Sequence, residues 1–232
     1  MADHAVVSHD EWVEARKQLL AKEKEFTRLR DDMSRQQREL PWEAVEKDYV
    51  FEGADGLSSL AGLFGGRSQL LVYHFMFDPG DDVGCPICSF WADNFDPVIV
   101  HLHARDVTMV AISLAPYAKL AAYRGRMGWS FPWFSSHGSD FNFDYGASFT
   151  PEQVDAPLYN FGALVPGGPQ REGLSVFYRD ESGRIFHTYS AYARGIDTVN
   201  TAYNYLDLVP KGRDERPPGP RWVRRHDDYA QA

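Results

Sequence analysis

Two of the 232 residues are cysteines, and they stand three positions apart in Cys85-Pro86-Ile87-Cys88. Thiols at this spacing can do two kinds of chemistry. In the first, one thiolate attacks a disulfide and the other resolves the mixed disulfide, since the thiolate is the attacking species in exchange. In the second, two soft thiolates join a histidine around copper or zinc, with His74 and His187 as candidate third ligands. Zinc would need two further ligands in tetrahedral array. His101 and His103 lie two apart on a helical stretch, so they point in different directions and cannot share a metal. A pair that is merely packed is the third reading.

The surrounding elements favour the first. Gln69 to Phe77 is a near-continuous apolar run with the composition of a strand buried on both faces. An acidic, glycine-containing loop, 78–84, leads to the cysteines. Trp91, Phe95, Val98, Ile99 and Leu102 then fall at helical spacing, which predicts a helix over 86–104 with a kink at Pro97. Cys85 is thereby placed at a helix start, where unpaired backbone amides favour a thiolate. Pro86 pre-sets the first turn without forfeiting a hydrogen bond. Cys88 is one turn on, within reach of a mixed disulfide on Cys85, and Trp91 covers one wall of the site. Asp78, Asp81 and Asp82 precede the pair: facing the thiol they would raise its pKa and lower its reactivity at neutral pH, whereas solvated they would have only a modest effect.

The remaining elements supply the frame. Ser8 and Glu11 fit a capping box opening one long helix over the first 40 residues. Trp12, Leu19, Phe26, Met33 and Leu40 recur every seven residues along it, a stripe that has to be buried. The helix can dock on its own domain or join two subunits, so a homodimer through it is open. Residues 49–60 read as strand, turn and strand, 107–113 as a buried strand, and 116–127 as a helix. An aromatic-rich insertion spans 128–168. There Trp129, Phe131, Trp133 and Phe134 either line a substrate groove or cover the end of the core. A hairpin joins 174–178 to 184–189, and a last helix runs over 196–208 with Val199, Tyr203 and Leu206 on one face. The acidic stretch 140–146 superficially matches a calcium loop, but its glycine comes one place late and Pro151 stands where a glutamate is needed. Its Phe141 and Phe143 are expected to pack inward.

A β-α-β unit followed by an antiparallel hairpin and a helix gives an α/β fold, a thioredoxin-like three-layer sandwich with a mixed central sheet. The expected organisation is the helix over 1–40, the thioredoxin-like domain over 41–210, and a basic flexible tail over 211–232.

Composition narrows the function. The net charge of −9 argues against general nucleic-acid binding, and no apolar run is long enough to span a bilayer. Two cysteines cannot make a disulfide scaffold, and the first residues lack the charged and apolar regions of a secretion signal. The expectation is a cytoplasmic protein without nucleic-acid or membrane partners.

Several stretches resemble a known family: Leu70 to Phe77, Gly84 to Asp93, Met127-Gly128-Trp129, Phe131-Pro132-Trp133, Ser139 to Asn142 and Phe186 to Tyr189. They are similar to a widespread bacterial thioredoxin-like family of unknown function, often labelled a predicted dithiol-disulfide oxidoreductase. The resemblance runs from about Asp10 to Glu215. It implies a thioredoxin-like fold and a redox role for Cys85 and Cys88, and brings no substrate with it; the exchange reading expects an unknown thiol or disulfide substrate and no cofactor beyond the Cys85–Cys88 disulfide itself. Pro86, Trp91, Trp129 and Trp133 would wall the site. Two departures stand out. The cis-proline that faces the dithiol in thioredoxins is missing near Gly173-Leu174. Asp82 stands three residues before Cys85, where peroxiredoxins carry a hydroxyl, so peroxidase activity is not expected.

Overall fold

The computed structural model describes residues 4–215 and 220–229. The chain divides into two compact units, residues 1–41 and 42–232.

The first unit is a single helix, α1 (His9–Arg38). Its start is the expected capping box: the Glu11 amide donates to Ser8 Oγ, and the Ser8 amide donates to a Glu11 carboxylate oxygen at 2.9 Å. None of its residues is buried, so the stripe of Trp12, Leu19, Phe26 and Met33 stays exposed.

The second unit is built on one eight-stranded sheet. In chain order its strands are β1 (Glu43–Ala44), β2 (Val50–Gly53), β3 (Gly56–Ser59), β4 (Gln69–His74), β5 (Val107–Ser113), β6 (Trp133–Ser135), β7 (Gly173–Arg179) and β8 (Ile185–Tyr192). The spatial order is β1-β8-β7-β4-β5-β6-β2-β3. At its centre β4 runs parallel to β5 and antiparallel to β7, and β7 pairs antiparallel with β8. Two parallel strands flanked by an antiparallel hairpin, in the order second-first-third-fourth, make the thioredoxin-like arrangement expected from the element order. β4 is central because Leu70, Val72, Tyr73 and His74 are buried and only its alternation decides which face each serves.

That alternation creates two cores. Tyr73 and Phe75 join Trp91, Tyr123, Trp129 and Trp133 in the larger one. Leu70 and Val72 join Phe51, Phe64, Phe141 and Phe177 in the other. The helices between strands are α2 (Leu60–Leu63), α3 (Pro86–Ala92), α4 (Asp96–His103), α5 (Tyr117–Met127) and α6 (Phe141–Asp144).

Three expectations about helices are corrected. The helix over 86–104 is two helices, because Pro97 has no amide and clashes with the carbonyl four residues back; it therefore begins α4 instead of kinking a longer one. The closing helix is a 3₁₀ segment (Ala193–Val199) followed by α7 (Thr201–Leu206). Buried Asn200 divides them, its side chain accepting from the Tyr203 amide. In the 140–146 stretch Phe141 is buried but Phe143 is exposed, because the segment forms a helical turn and not an alternating one.

Residues 220–229 also depart from the expectation of a solvated tail. Val223 is buried in the larger core, Trp222 meets Phe90 edge-on, and Arg126 pairs with Asp227 and Asp228. Acids and bases of the segment both fasten it, Asp227 and Asp228 on Arg126 and Arg225 on the Gly84 carbonyl.

His74 shows how the second core handles a polar residue. It is almost completely buried and stacks on Phe141. Asn142 Oδ1, 3.0 Å away, can only accept, so Nδ1 carries the proton, and Nε2 accepts from Ser175 Oγ at 2.9 Å. Ser175 meets Ser190, whose Oγ lies 2.8 Å from His187 Nε2. Burial lowers the His74 pKa to about 4. An unfolded chain binds that proton near pH 6.5, whereas the folded chain refuses it until about pH 4. The stability His74 contributes is therefore complete above pH 6.5 and falls as the pH drops towards 4, by about 3 kcal/mol in all. Urea denaturation at a series of pH values should show this loss, and His74→Gln should flatten the slope by one proton while lowering stability at neutral pH.

Candidate active site

The dithiol lies where β4 leaves the sheet. Strand pairing ends at His74, and the backbone of Met76 then contacts both cysteines. Its carbonyl accepts from the Cys85 amide at 3.2 Å, and its amide donates to Cys88 Sγ at 3.4 Å. Cys85 is the N-cap of α3 and Pro86 occupies the first turn, as the sequence predicted. The turn before it is tight: a Cβ on Gly84 would lie 2.8 Å from both Phe75 and Tyr123, so only glycine fits.

A hydrogen-bonded chain braces this turn. Ser89 Oγ donates to the Cys85 carbonyl at 2.8 Å and meets the Tyr123 hydroxyl at 2.8 Å. Arg225 reaches back from the end of the chain, donating to the same hydroxyl and, twice, to the Gly84 carbonyl at 3.1 and 2.7 Å. His226 pairs with Asp93 at the end of α3.

The two sulfurs sit in opposite environments. Cys85 is partly buried and Cys88 completely so. The Cys88 thiol, followed by the backbone amides of Cys88 and Ile87, stabilises the Cys85 thiolate and holds its pKa below the ordinary thiol range despite burial. Burial first, then the neighbouring Cys85, pushes the Cys88 thiol well up. The Tyr73 hydroxyl is buried beside Cys88 without a well-formed hydrogen bond, and burial followed by that sulfur drives its own pKa well up.

Asp78, Asp81 and Asp82 do not turn out to be the opposing charge. Asp78 is held by Gln170 and the Gly80 amide, and the loop is tied by Lys119 donating to the carbonyls of Pro79 and Asp81. The carboxylate that disfavours both thiolates is Glu172. It stands just before Gly173, whose partner across the ladder is His74, and so occupies the region where thioredoxins place their cis-proline. Its place before the strand that pairs with β4 is the signal that could have marked it in the sequence.

The other sequence candidates divide cleanly. Trp91 lines a cavity of about 430 Å³ beside the dithiol, together with Met76, Ile87, Tyr159, Arg171 and Glu172. Its indole Nε1 is anchored on the Ile196 carbonyl. Trp129 and Trp133 are core residues and not walls: Trp133 is 1% exposed with its Nε1 on Ser113, and Trp129 donates to Asp93. The histidines are not brought to the cysteines. His74 and His187 belong to the opposite core, each engaged in hydrogen bonds. Among the described residues no three His, Cys, Asp or Glu side chains form a cluster able to hold a metal.

Comparison with known proteins places the chain. The family described as "Bacterial protein of unknown function (DUF899)" matches residues 1–229. The chain belongs to this family. No curated protein matches it. Among solved structures, this DUF899 protein is similar to the peroxidoxin BcpB of Mycobacterium tuberculosis, at 14% identity and a TM-score of 0.47, over 69% of this chain and 93% of that one. It is also similar to a PrxQ mutant from Xylella fastidiosa, at 9% identity and a TM-score of 0.45, over 71% and 95%. A third is a DsbE thiol:disulfide interchange protein from Chlorobium tepidum, at 12% identity and a TM-score of 0.41, over 72% and 96%. At these scores the likenesses carry no weight on activity. Among the described residues no helix is long and apolar enough to cross a membrane.

Two measurements check the site. Iodoacetamide should modify Cys85 first and leave Cys88 untouched in the native state, with a pH midpoint for Cys85 below that of a free thiol. Arg225→Met should cost about 2 kcal/mol, because it removes charge-assisted bonds to a carbonyl that nothing else is seen to satisfy; thermal melts would read it.

Proposed function

We propose that this protein is a thiol–disulfide oxidoreductase in which Cys85 attacks and Cys88 resolves. The supporting observation is the split between the sulfurs: a partly accessible thiol held towards its thiolate, backed by a buried thiol held protonated. The Cys85 thiolate attacks one sulfur of a disulfide, forming a mixed disulfide and releasing the first thiolate. Cys88 then loses its proton and attacks Cys85 Sγ, releasing the second. The protein ends as a Cys85–Cys88 disulfide, oxidised by two electrons, and the substrate ends as two thiols. The Met76 amide and the Tyr73 hydroxyl are placed to stabilise negative charge arising on Cys88. Thiol exchange fits better than peroxide reduction, since Asp82 offers no hydroxyl three residues before Cys85. A working dithiol of this kind suits a reducing cytoplasm.

The test uses the full chain, reduced, with 5,5′-dithiobis(2-nitrobenzoate). Wild type should release two equivalents of aryl thiolate and finish with an internal disulfide by mass. Cys88→Ser should stop at one equivalent with the aryl group on Cys85, and Cys85→Ser should react at least about tenfold more slowly. Wild type carrying two aryl groups, or a Cys85→Ser variant as fast as wild type, would overturn the reading.

A further inference from the structure

The cavity beside the dithiol carries two charges without ionic partners. Arg171 and Glu172 both line it, and both are half-buried. Its other charged groups are matched: Arg213 is paired with Asp197 and Asp207, Arg194 with Asp197, and Glu215 accepts from Tyr203 and Trp222. The Arg171 guanidinium makes one hydrogen bond, to the Gln170 carbonyl. Among the described residues no carboxylate pairs with it, and no cation or donor reaches the Glu172 carboxylate. Removing charge from water without a partner costs free energy, so an unmatched pair in a concave site is complementary to a ligand bearing the opposite charges.

The chain holds these two residues deliberately in place. Gly167 and Gly168 pass close under the guanidinium: a Cβ on Gly167, itself at φ +64°, would lie 3.3 Å from it. The Tyr159 hydroxyl donates to the Glu172 carbonyl at 2.8 Å and accepts from the Ala193 amide at 2.8 Å, fixing the start of β7 against the insertion and the 3₁₀ segment. Met76, whose backbone bonds to both cysteines, and Ile87, between them in sequence, are among the lining residues. Glu172 is near enough to both sulfurs to disfavour their thiolates, so a ligand ammonium on Glu172 would also relieve that opposition.

We propose that this cavity binds the zwitterionic head of an amino-acid disulfide, with Arg171 on its carboxylate and Glu172 on its ammonium, presenting the disulfide to Cys85. The inference rests on the exchange reaction proposed above and names its substrate class. A volume of about 430 Å³ accommodates the zwitterionic head of an amino-acid disulfide. The balance is that of dithiol exchange: the reduced protein and one amino-acid disulfide give the Cys85–Cys88 disulfide and two amino-acid thiols, two electrons passing to the substrate.

The experiment follows single-turnover oxidation of the reduced full-length protein by quenched alkylation and mass spectrometry. Four oxidants are compared at equal concentration: cystine, dithiodipropionate (carboxylates only), cystamine (ammonium groups only) and bis(2-hydroxyethyl) disulfide (uncharged). Cystine should react at least about tenfold faster than each of the others, after correction for the reactivity of each disulfide with a free model thiol. Arg171→Gln should reduce the ratio of cystine to hydroxyethyl disulfide rates by about tenfold. Glu172→Gln should reduce the ratio of cystine to dithiodipropionate rates similarly. Equal corrected rates for cystine and the hydroxyethyl disulfide, or an unchanged ratio in Arg171→Gln, overturn the substrate inference while leaving the exchange reaction standing. Failure of every oxidant to form the internal disulfide overturns both.

Discussion

The backbone of one residue, Met76, holds both cysteines in register. Its carbonyl fixes the Cys85 backbone and its amide points at Cys88 Sγ. Because Met76 lies two residues beyond β4, the position of the dithiol is inherited from a buried central strand of the sheet. The pairing of β4 with β5 on one side and β7 on the other therefore sets not only the fold but the distance at which the two thiols can work. The Gly84 turn, too close to Phe75 and Tyr123 for any side chain, leaves the approach to Cys85 no slack.

The alternation of β4 separates two polar systems that the sequence places side by side. Tyr73 faces the sulfurs, while His74 faces Asn142, Ser175 and Ser190 on the other side of the sheet. Adjacent residues on a strand point to opposite faces, so the nearness of His74 to the cysteines in sequence gives it no nearness to them in chemistry. This excludes His74 from a metal site with Cys85 and Cys88, and the same sheet keeps His187 away.

How much of this was legible in the sequence follows from the range of the interactions involved. β4, β5, the β7–β8 hairpin and the start of α3 were readable, because each is encoded by a local apolar run, a turn or a proline. The capping box of α1 is local too. What could not be read depends on distant contacts. Whether Trp129 and Trp133 line a groove or cover the core is decided only when β6 pairs with β5 and carries Trp133 into the core. The segment around Arg225 looks like a solvated basic arm, since the Gly84 carbonyl that receives it lies 141 residues earlier. Glu172 stands out only through the pairing of β7 with β4, which sets Gly173 opposite His74 and so brings the residue before it to the end of β4 that leads to the dithiol. Which way Asp78, Asp81 and Asp82 face is likewise set by distant partners, Gln170 and Lys119, that hold the loop.

The complete burial of Cys88 makes the pair a site with a single port. No small thiol from solution can touch Cys88, so any bond between the two sulfurs would have to be opened by attack at Cys85, with Cys88 departing as a thiolate. A thiolate of high pKa departs slowly. Cys88 is in just such an environment, so a closed pair would reopen reluctantly until its Tyr73 and Met76 neighbours, or a movement of α3, eased the charge on that sulfur. The same burial that protects the resolving thiol from stray modification thus slows both the closing and the reopening of the pair, because each passes through a Cys88 thiolate.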